Sequence, residues 1–559
     1  MRKGKVKKRI SVLMAMMLLA AMLLGGCGKS VDESSDDNSQ TSSSESGNAE
    51  SGSREKVTVT VSSISWEPDP ADVYLTQYIE EELGIILDWK LYSNEEFSSQ
   101  LSLLLSTDSL PDLIVGANLG KTDVNKYGAE GYFLNIAEYS DVMPNMQATM
   151  EENPLWAAYQ KDESGAIYGL SRCFPSRIGL ATGLSTFINT EWLANVGMDV
   201  PETVDELYDV LVAFKEQDAN GNGDASDEIP LGVQMDIGRG GRFEWMMMSA
   251  FGIFNNNSDF CADENGTVTF VKMKDNYKAY LKYLHKLYEE GLMEPSTFIL
   301  TDEERIDKTS NDLYGVFSDY AGLVTAIGGQ EGEGNPYEKY AYIPALTSDY
   351  NDKLVFTMGN CGYAEGSRTY ISADTDYAEE ICKMIDFFLS EEGTLVADYG
   401  KEGVTFEYVE DAFGNQVPSY INGYTIETVR WDEAFKLIRT SVENSFVENA
   451  DDDTLDKMIY EDATYTYTQQ AAVEKALRDV DELTEPFPDL TFPSDVASTF
   501  SVLREDLRNI VKSYKSQFIL GEKDIDASWD QYLSDLEKAG VERFVSIAQD
   551  AYDSYLSVQ

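Results

Sequence analysis

The stretch Val57-Thr-Val-Thr-Val-Ser-Ser-Ile64 alternates apolar and polar side chains and is rich in β-branched residues, which predicts a β-strand. Beyond it, helical periodicity extends over Ala71–Leu83 and Glu95–Ser106. Two further strands are predicted over Ile85–Leu91 and Asp112–Val115. Strands that alternate with helices in this way predict an α/β lobe built on a mainly parallel sheet.

Five side chains are candidates for contact with a ligand. Trp66 and Asn118 lie just beyond predicted strands, and ligands of parallel sheets bind beyond the carboxyl ends of the strands. Trp245, Tyr320 and Trp431 lie among turn residues or charges and not in uniform apolar runs. Flat rings stack on sugars while neighbouring polar groups bond the hydroxyls, so these aromatics indicate a carbohydrate ligand. For each ring, packing in the core is the alternative interpretation.

The later chain is richer in helix signals. In Pro201-Glu-Thr-Val-Asp-Glu206, Thr203 can cap a helix and Glu206 can return the hydrogen bond. Helices are also predicted over Lys278–Gly291 and Tyr377–Glu392, and most of the chain from Ala471 onward is predicted to be helical.

The N-terminus has the three parts of a secretory signal. Six basic residues lie within Met1–Arg9, an apolar run follows, and small residues precede Cys27. The apolar run is shorter than the roughly twenty residues of a membrane-spanning helix. The sequence Leu24-Gly-Gly-Cys27 resembles the bacterial lipobox, which predicts a lipoprotein signal peptide over residues 1–26 and acylation of Cys27, for example by palmitate. An ordinary secretory signal with an incidental cysteine is the alternative.

Residues 27–55 are rich in Ser, Asp and Glu, which predicts a disordered spacer between the anchor and the folded protein. Two acyl chains hold a protein on a membrane where one does not. We therefore expect the chain to be tethered to the outer leaflet of the cytoplasmic membrane, on a Gram-positive type of cell surface.

The chain is strongly acidic. Without the six basic residues of the signal, 37 basic side chains face 99 acidic ones, a net charge of −62. Such a surface repels nucleic acid and anionic lipid headgroups, so neither is an expected partner. It also disfavours a strongly anionic ligand unless a local basic or metal site offsets the field.

The histidine and cysteine residues do not indicate a zinc site or a catalytic triad. His285 is the only histidine and lies in a helical pattern, so a structural role is predicted and His-centred triads are excluded. Cys173, Cys261, Cys361 and Cys382 lack the spacing of a zinc site. They can form two disulfides or stay buried thiols, and we favour thiols.

One loop, Asp218-Ala-Asn-Gly-Asn-Gly-Asp-Ala-Ser-Asp-Glu228, predicts a structural calcium site. Ca²⁺ takes about six to eight oxygen ligands, and the pattern D-x-N-x-N-G supplies them at alternate positions. The candidate ligands are Asp218, Asn220, Asn222, Asp224, Asp227 and Glu228. Ile229 stands where an EF-hand has its closing Glu, so the loop is not a standard one. A turn without metal is the alternative.

No catalytic residue is predicted. Gly116-Ala-Asn-Leu-Gly-Lys-Thr122 places three residues between its glycines where a phosphate-binding loop has four, so we interpret it as a strand-to-helix turn. Carboxylates are too abundant to nominate a pair, because a glycosidase is defined by the separation of two carboxyl groups in space. The chain is therefore predicted not to be an enzyme, with a surface-anchored glycoside hydrolase as the alternative.

The chain resembles the large lipid-anchored members of the extracellular solute-binding protein family 1, which deliver oligosaccharides to ABC importers. The matching segments, in chain order, are Leu83-Gly-Ile85, Ser109-Leu-Pro-Asp-Leu113, Tyr127-Gly-Ala-Glu-Gly131, Ala166-Ile-Tyr-Gly-Leu170, Asn189-Thr-Glu-Trp-Leu193, Pro201 to Leu207, Asp218 to Leu231, Ser390-Glu-Glu-Gly393, Tyr399-Gly-Lys-Glu-Gly403, Ile519-Leu-Gly-Glu522 and Trp529-Asp-Gln-Tyr532. Each segment is short, but their order and coverage together are specific.

The resemblance implies a two-lobed α/β fold, like that of periplasmic binding proteins, with a hinge and an interlobe ligand cleft. We expect an N-terminal lobe of residues 56–180 with 315–372 and a more helical C-terminal lobe of residues 181–314 with 373–559. In relatives that bind acidic oligosaccharides the equivalent loop holds Ca²⁺, which carries over to Asp218, Asn220, Asn222, Asp227 and Glu228, although this chain has one extra residue before Asp227.

The function implied is capture of an oligosaccharide and its delivery to an ABC transporter permease by a monomeric binding protein. Ligand would shift an open–closed hinge equilibrium by binding the closed state better. A non-sugar solute such as a peptide is a further alternative. The sugar, its linkage and the permease are not predicted.

Overall fold

The computed structural model describes residues 56–557 apart from 66–68, 163, 177, 179–185, 225, 236–241, 255–258, 320–334, 359–366, 431–434, 436, 439–441, 463–466, 486, 489 and 491. The predicted signal, Cys27 and the spacer lie outside the described residues. In the described part of the chain, no helix combines the length and the apolar character needed to cross a bilayer.

Strands and helices are distributed along the whole described chain. The strands are β1 (Val57–Ile64), β2 (Ile85–Tyr92), β3 (Leu113–Leu119), β4 (Thr186–Asn189), β5 (Ile229–Gly232), β6 (Phe260–Ala262), β7 (Val268–Phe270), β8 (Tyr314–Ser318), β9 (Tyr340–Tyr342), β10 (Val355–Thr357), β11 (Ser367–Ile371), β12 (Phe406–Glu410), β13 (Gln416–Tyr420) and β14 (Glu482–Thr484). The α-helices are Tyr74–Tyr78, Asn94–Ser106, Lys121–Ala129, Pro144–Glu152, Pro154–Gln160, Thr190–Val196, Val204–Glu216, Phe243–Ala250, Asp275–Glu289, Asp302–Ser310, Ala378–Phe387, Glu391–Tyr399, Ile426–Val429, Val442–Asn449, Asp452–Tyr460, Thr468–Arg478, Ser494–Ile519, Ile525–Lys538 and Val541–Ser557.

The first sheet has the strand order β11-β3-β1-β2. β1 pairs with β2 in parallel over all eight residues, from Val57 opposite Ile85 to Ile64 opposite Tyr92. β3 lies parallel to β1 on its other side, and β11 closes the sheet antiparallel to β3. The predicted strands are confirmed, and so is the prediction of a mainly parallel sheet.

Helices cover both faces of this sheet. Helix Asn94–Ser106 packs Phe97, Leu101 and Leu105 on one face. On the other face, Val59 and Leu113 pack with residues of the helices Tyr74–Tyr78 and Ala378–Phe387. A parallel sheet needs such cover on both sides, because its crossover helices lie on its faces.

The second sheet has the order β5-β8-β4-β9. β5 and β8 are parallel neighbours, whereas β4 runs antiparallel to both β8 and β9. One face packs on the helices Val204–Glu216 and Asp275–Glu289 and on the three C-terminal helices. The other face packs on the helices Asp452–Tyr460 and Thr468–Arg478.

Thr203 caps the helix Val204–Glu216 as predicted, because its hydroxyl oxygen accepts from the backbone N–H of Glu206 at 3.0 Å. The carboxylate of Glu206 accepts from the N–H of Glu202 at 2.9 Å, one residue before the position of a reciprocal capping box. The predicted helix Tyr377–Glu392 is interrupted. It ends at Phe387, and a second helix starts after Ser390, whose hydroxyl accepts from the N–H of Gly393 at 3.0 Å.

The two sheets divide the chain differently from the expected lobe boundaries. The expected N-terminal lobe contains residues 315–372, but β8 and β9 from this range pair with β4 in the second sheet. The expected C-terminal lobe starts at residue 373, but Ile381, Ile385 and Phe388 pack in the core of the first sheet. The physical reason is that local sequence predicts only that a segment forms a strand. Pairing with distant segments decides which sheet the strand joins.

Helix Val204–Glu216 approaches β8 so closely that only a glycine fits at position 315. A Cβ atom at Gly315 would lie 2.3 Å from Cδ2 of Phe214 and 2.9 Å from Cε3 of Trp192. Substitution Gly315→Ala should therefore lower the free energy of unfolding by about 1–3 kcal/mol, measured by urea denaturation. Adding Phe214→Leu should recover part of that loss, since it makes room for the methyl group. Strictly additive losses in the double variant would contradict the overlap.

Candidate functional site

The carboxyl ends of β1, β2 and β3 share one edge of the first sheet, because the three strands are parallel. Ligands of such sheets bind beyond this edge. Trp66 follows β1 by two residues but lies outside the described residues. Asn118 is part of β3, and its side chain lies outside the description. Both therefore stay predictions.

Lys121 is a residue at this edge that sequence reasoning passed over. β3 ends at Leu119, Gly120 caps the next helix, and Lys121 opens it, so the predicted strand-to-helix turn is confirmed. The Lys121 side chain is buried, and its ammonium donates to the backbone carbonyl of Tyr159. Burial lowers its pKa from 10.5 to about 7, and the charge of Asp162 opposes this shift only in part.

Tyr92 closes β2 at the same edge. Its ring stacks on Phe97 at 5.8 Å between centroids, and the ammonium of Lys90 lies 5.3 Å from the ring centroid. The Tyr92 hydroxyl is buried and has no hydrogen-bond partner among the described residues. A buried hydroxyl without a partner costs free energy. This one lies at the ligand edge, by which we mean the edge of a sheet where the carboxyl ends of its parallel strands meet.

The carboxyl ends of β5 and β8 share an edge of the second sheet in the same way. Gln234 and Asp319 follow these ends, and both side chains are fully buried. Tyr320 follows Asp319 directly and lies outside the described residues, as does Trp431. Contact between these two rings and a ligand remains a prediction.

Trp245 is the one predicted ligand contact whose side chain the structure describes. It lies in the first turn of the helix Phe243–Ala250, partly buried against the core of the second sheet. The guanidinium carbon of Arg242 lies 5.5 Å from the centre of its ring, within range of a cation–π contact. The ring therefore packs against the core, which was the alternative to ligand contact. It is also partly exposed.

Helices that pack on the two sheets are in contact with each other. Helix Lys121–Ala129, which starts at the carboxyl end of β3, lies against the helix Ser494–Ile519 of the second sheet's core. A cavity of about 620 Å³ lies elsewhere, between β9 and the helix Thr468–Arg478. Its lining includes Tyr340, Tyr342, Tyr460 and Lys475 and none of the five predicted ligand contacts.

The loop Asp218–Glu228 is held by its own polar groups. The amides of Asn220 and Asn222 donate to the two carboxylate oxygens of Asp227 at 3.1 and 2.8 Å. Gly221 and Gly223 have φ values of 72° and 94°, which favour glycine. One carboxylate oxygen of Asp224 accepts from both the N–H and the hydroxyl of Ser226, so this side chain closes a local turn.

Three carboxylate oxygens of this loop are buried and have no hydrogen-bond partner among the described residues. They are one oxygen of Asp218 and both oxygens of Glu228. Burial raises the pKa of Glu228, the nearby backbone amides of Glu228, Asn220 and Ala219 oppose part of the rise, and the charge of Asp227 adds to it. Unpartnered buried carboxylate oxygens are the ligands that a hard cation takes.

No group of three or more His, Cys, Asp and Glu side chains in the described ranges is placed to hold a metal ion. The loop residues nevertheless fit a calcium ion, because Asn side-chain and backbone oxygens also ligate Ca²⁺ and the three carboxylate oxygens lack other partners.

The described cysteines, Cys173, Cys261 and Cys382, are free thiols, which agrees with the favoured interpretation. Burial raises the pKa of Cys173 and of Cys382 to about 12, so both are unreactive near neutral pH. Cys361 lies outside the described residues. One ring nitrogen of His285 lies 3.1 Å from the carbonyl oxygen of Ile519, which agrees with a structural role.

Two α/β sheet cores, each with the carboxyl ends of parallel strands at one edge, have the architecture of a two-lobed binding protein. Residues 67–395, more than half of the chain, match the model of the bacterial extracellular solute-binding protein family. The chain belongs to this family, as the sequence segments predicted.

Two relatives match most of the chain in sequence. The fructooligosaccharide ABC transporter substrate-binding protein FusA of Streptococcus pneumoniae is 25% identical over 522 residues, which cover 90% of this chain and 91% of FusA. Lipoprotein LipO of Bacillus subtilis is 23% identical over 404 residues, covering 71% of this chain and 73% of LipO.

Solved structures show the same two-lobed fold. A FusA EF-hand mutant in complex with fructo-nystose superposes with a TM-score of 0.68 at 22% identity, covering 90% of this chain and all of that one. An HMO-binding, ABC-transporter-associated solute-binding protein from Bifidobacterium longum infantis gives 0.68 at 21% identity, with 90% and 99% covered. The predicted fold class is confirmed.

Lys121 should make stability depend on pH in the alkaline range. Its pKa is about 7 in the folded chain and 10.5 in the unfolded chain. Between these pH values the side chain is protonated in the unfolded chain but not in the folded chain. Stability should therefore fall as the pH falls from about 10 to about 7, and the cost is complete below that range.

Substitution Lys121→Met should flatten this slope, measured by urea denaturation at a series of pH values. Lys126→Met, at an exposed position of the same helix, is the matched control and should keep the wild-type slope. Equal slopes in wild type and Lys121→Met would show that the ammonium is not buried as described.

Proposed function

We propose that this protein captures an oligosaccharide outside the cell and delivers it to the permease of an ABC importer. The observation that carries this proposal is the presence, in a member of the solute-binding family, of two sheets whose parallel strand ends meet at one edge, where ligands of such sheets bind. FusA, whose name specifies a fructooligosaccharide, and the HMO-binding protein share the fold. Their ligands support an oligosaccharide here.

The charge narrows the class of ligand. With a net charge of −62 after removal of the signal, a neutral oligosaccharide is favoured over a polyanionic one. Binding to the closed arrangement of the lobes would shift the hinge equilibrium, and no covalent step is required. We propose that Trp66, Asn118, Trp245, Tyr320 and Trp431 contribute contacts from the two lobes.

We further propose that the protein is a monomer anchored through acylated Cys27, with residues 27–55 as a spacer between membrane and lobes. The lipobox-like segment supports the anchor, and so does the relation to lipoprotein LipO. The anchor keeps the binding protein close to its permease, which raises the effective concentration of the complex.

A ligand should be identified by thermal unfolding of the protein without its signal and Cys27, in the presence of an oligosaccharide panel that starts with fructooligosaccharides. At a hundred times its dissociation constant a ligand stabilises the folded state by about 2.7 kcal/mol, because it binds only that state. A shift with one glycan class would identify the substrate, and no shift with any glycan or peptide would contradict solute binding.

The same samples test the rival hypothesis of a surface glycoside hydrolase. After long incubation, the glycan that stabilises the protein should be recovered intact by chromatography. Release of shorter sugars in proportion to protein concentration would establish a hydrolase, since a binding protein leaves the glycosidic bond unbroken.

We also propose that the loop Asp218–Glu228 binds a structural Ca²⁺ ion. The three unpartnered carboxylate oxygens of Asp218 and Glu228 support it, and a FusA EF-hand mutant exists among the similar structures. Asn220, Asn222 and Asp227 would complete the shell. Asp224 stands at the position that offers a backbone carbonyl, and one of its carboxylate oxygens already accepts from Ser226.

Calcium should raise the melting temperature of the wild type, and a chelator should lower it. Asp218→Asn and Glu228→Gln should abolish the calcium response, because each removes the charge of a carboxylate that has an unpartnered buried oxygen. Asp224→Asn is the matched control and should retain the response. A wild-type melting temperature that is insensitive to both calcium and chelator would contradict the site.

A further inference from the structure

A buried polar cluster links the ends of β5 and β8 to a helix. Arg305, Gln234 and Asp319 are each only 1% exposed. Nε of Arg305 donates to the side-chain oxygen of Gln234 at 3.0 Å, and its Nη1 donates to the carboxylate of Asp319. The amide of Gln234 in turn donates to the carbonyl of Leu300 at 2.8 Å. One guanidinium therefore holds two side chains that follow different strands.

The cluster lies at the ligand edge of the second sheet. Gln234 is two residues beyond the end of β5, and Asp319 directly follows β8. The two strands are parallel neighbours, so their ends lie side by side. Arg305 reaches them from the helix Asp302–Ser310, which packs against β8. The guanidinium thus fixes the positions at which both strands leave the sheet.

An ion pair is not the cheapest way to hold these segments together. Removing two charges from water costs free energy, and this cost offsets much of their mutual attraction. Apolar residues of similar volume often stabilise a core as well or better. What a guanidinium supplies in addition is direction, because its planar fork accepts only specific placements of its partners. A binding site gains affinity when its supporting groups are held in place before the ligand arrives.

We propose that Arg305 is a positioning residue for ligand binding, which holds the carboxyl ends of β5 and β8 in the arrangement that the ligand requires. This inference rests on the proposed function as an oligosaccharide-binding protein. Arg305 itself is buried and does not contact the ligand. Its role is to orient the strand ends through Gln234 and Asp319.

The chain offers a control on the same helix, where Lys308 bonds a different buried carboxylate. Glu294 is equally buried and accepts from Nζ of Lys308 at 2.8 Å and from the hydroxyl of Tyr314, the first residue of β8, at 3.0 Å. Loss of Lys308 leaves a buried carboxylate short of a partner, as loss of Arg305 does for Asp319. Of these two basic residues, only Arg305 bonds side chains that follow the carboxyl ends of both strands.

The test compares Arg305→Gln with Lys308→Gln in two measurements: the melting temperature without ligand and the dissociation constant, by calorimetry, for the glycan that stabilises the wild type. Both variants should lose thermal stability. Arg305→Gln should bind the glycan at least tenfold more weakly, whereas Lys308→Gln should stay within twofold of the wild type. Arg305→Lys should lie between, because an ammonium can bond Asp319 but cannot bond Gln234 at the same time.

If Arg305→Gln fails to fold, Gln234→Met provides the same test, since it removes one acceptor of the guanidinium without creating a buried charge, and it too should weaken binding. Affinity within twofold of the wild type in Arg305→Gln or in Gln234→Met would overturn the inference. Equal losses of affinity in Arg305→Gln and Lys308→Gln would also overturn it, by showing a purely structural effect. A wild type that binds no oligosaccharide would overturn the proposed function and, with it, this inference.

Discussion

Parallel pairing of neighbouring strands is the constraint on which the rest of this structure depends. β1 and β2 run side by side for eight residues, and β5 and β8 pair in the same sense in the second sheet. Parallel strands cannot be joined by tight turns, so the chain must cross each sheet through helices that cover its faces. The polar ends of the strands are then left at one edge. At these edges lie Lys121, Gln234 and Asp319, each one or two residues beyond the end of a strand.

Several of the buried charged groups of this protein lie at such edges or in loops. A core favours apolar residues, and a buried ion is retained only with partners or for a function. Arg305 and Asp319 satisfy each other at the end of β8. Lys121 donates to the carbonyl of Tyr159 and has a lowered pKa. Asp218 and Glu228 bury oxygens without partners in the described structure. These are local departures from the rules that stabilise a fold, and such departures concentrate at functional sites.

Local pattern predicted the first sheet well and the chain's division between sheets poorly. Two local features were predicted correctly, the strand Val57–Ile64 and the helix cap at Thr203. Each depends only on residues that are close together in the chain. The assignment of β8 and β9 to the second sheet depends on pairing with β4, more than a hundred residues away in the chain. The break at Ser390 was missed, because apolar residues keep their helical spacing across it while the hydroxyl of Ser390 starts a new helix.

The sequence by itself determined the family, the α/β class, the acidic surface and the oxygen-rich loop, because each depends on composition or on residues close together in the chain. Only the tertiary structure decided which strands share a sheet and that Arg305 meets Gln234 and Asp319. It also decided that Asp224 closes a turn while Asp218 and Glu228 keep unpartnered oxygens. These results depend on contacts between distant segments and on the direction of individual side chains, and neither is encoded in local periodicity.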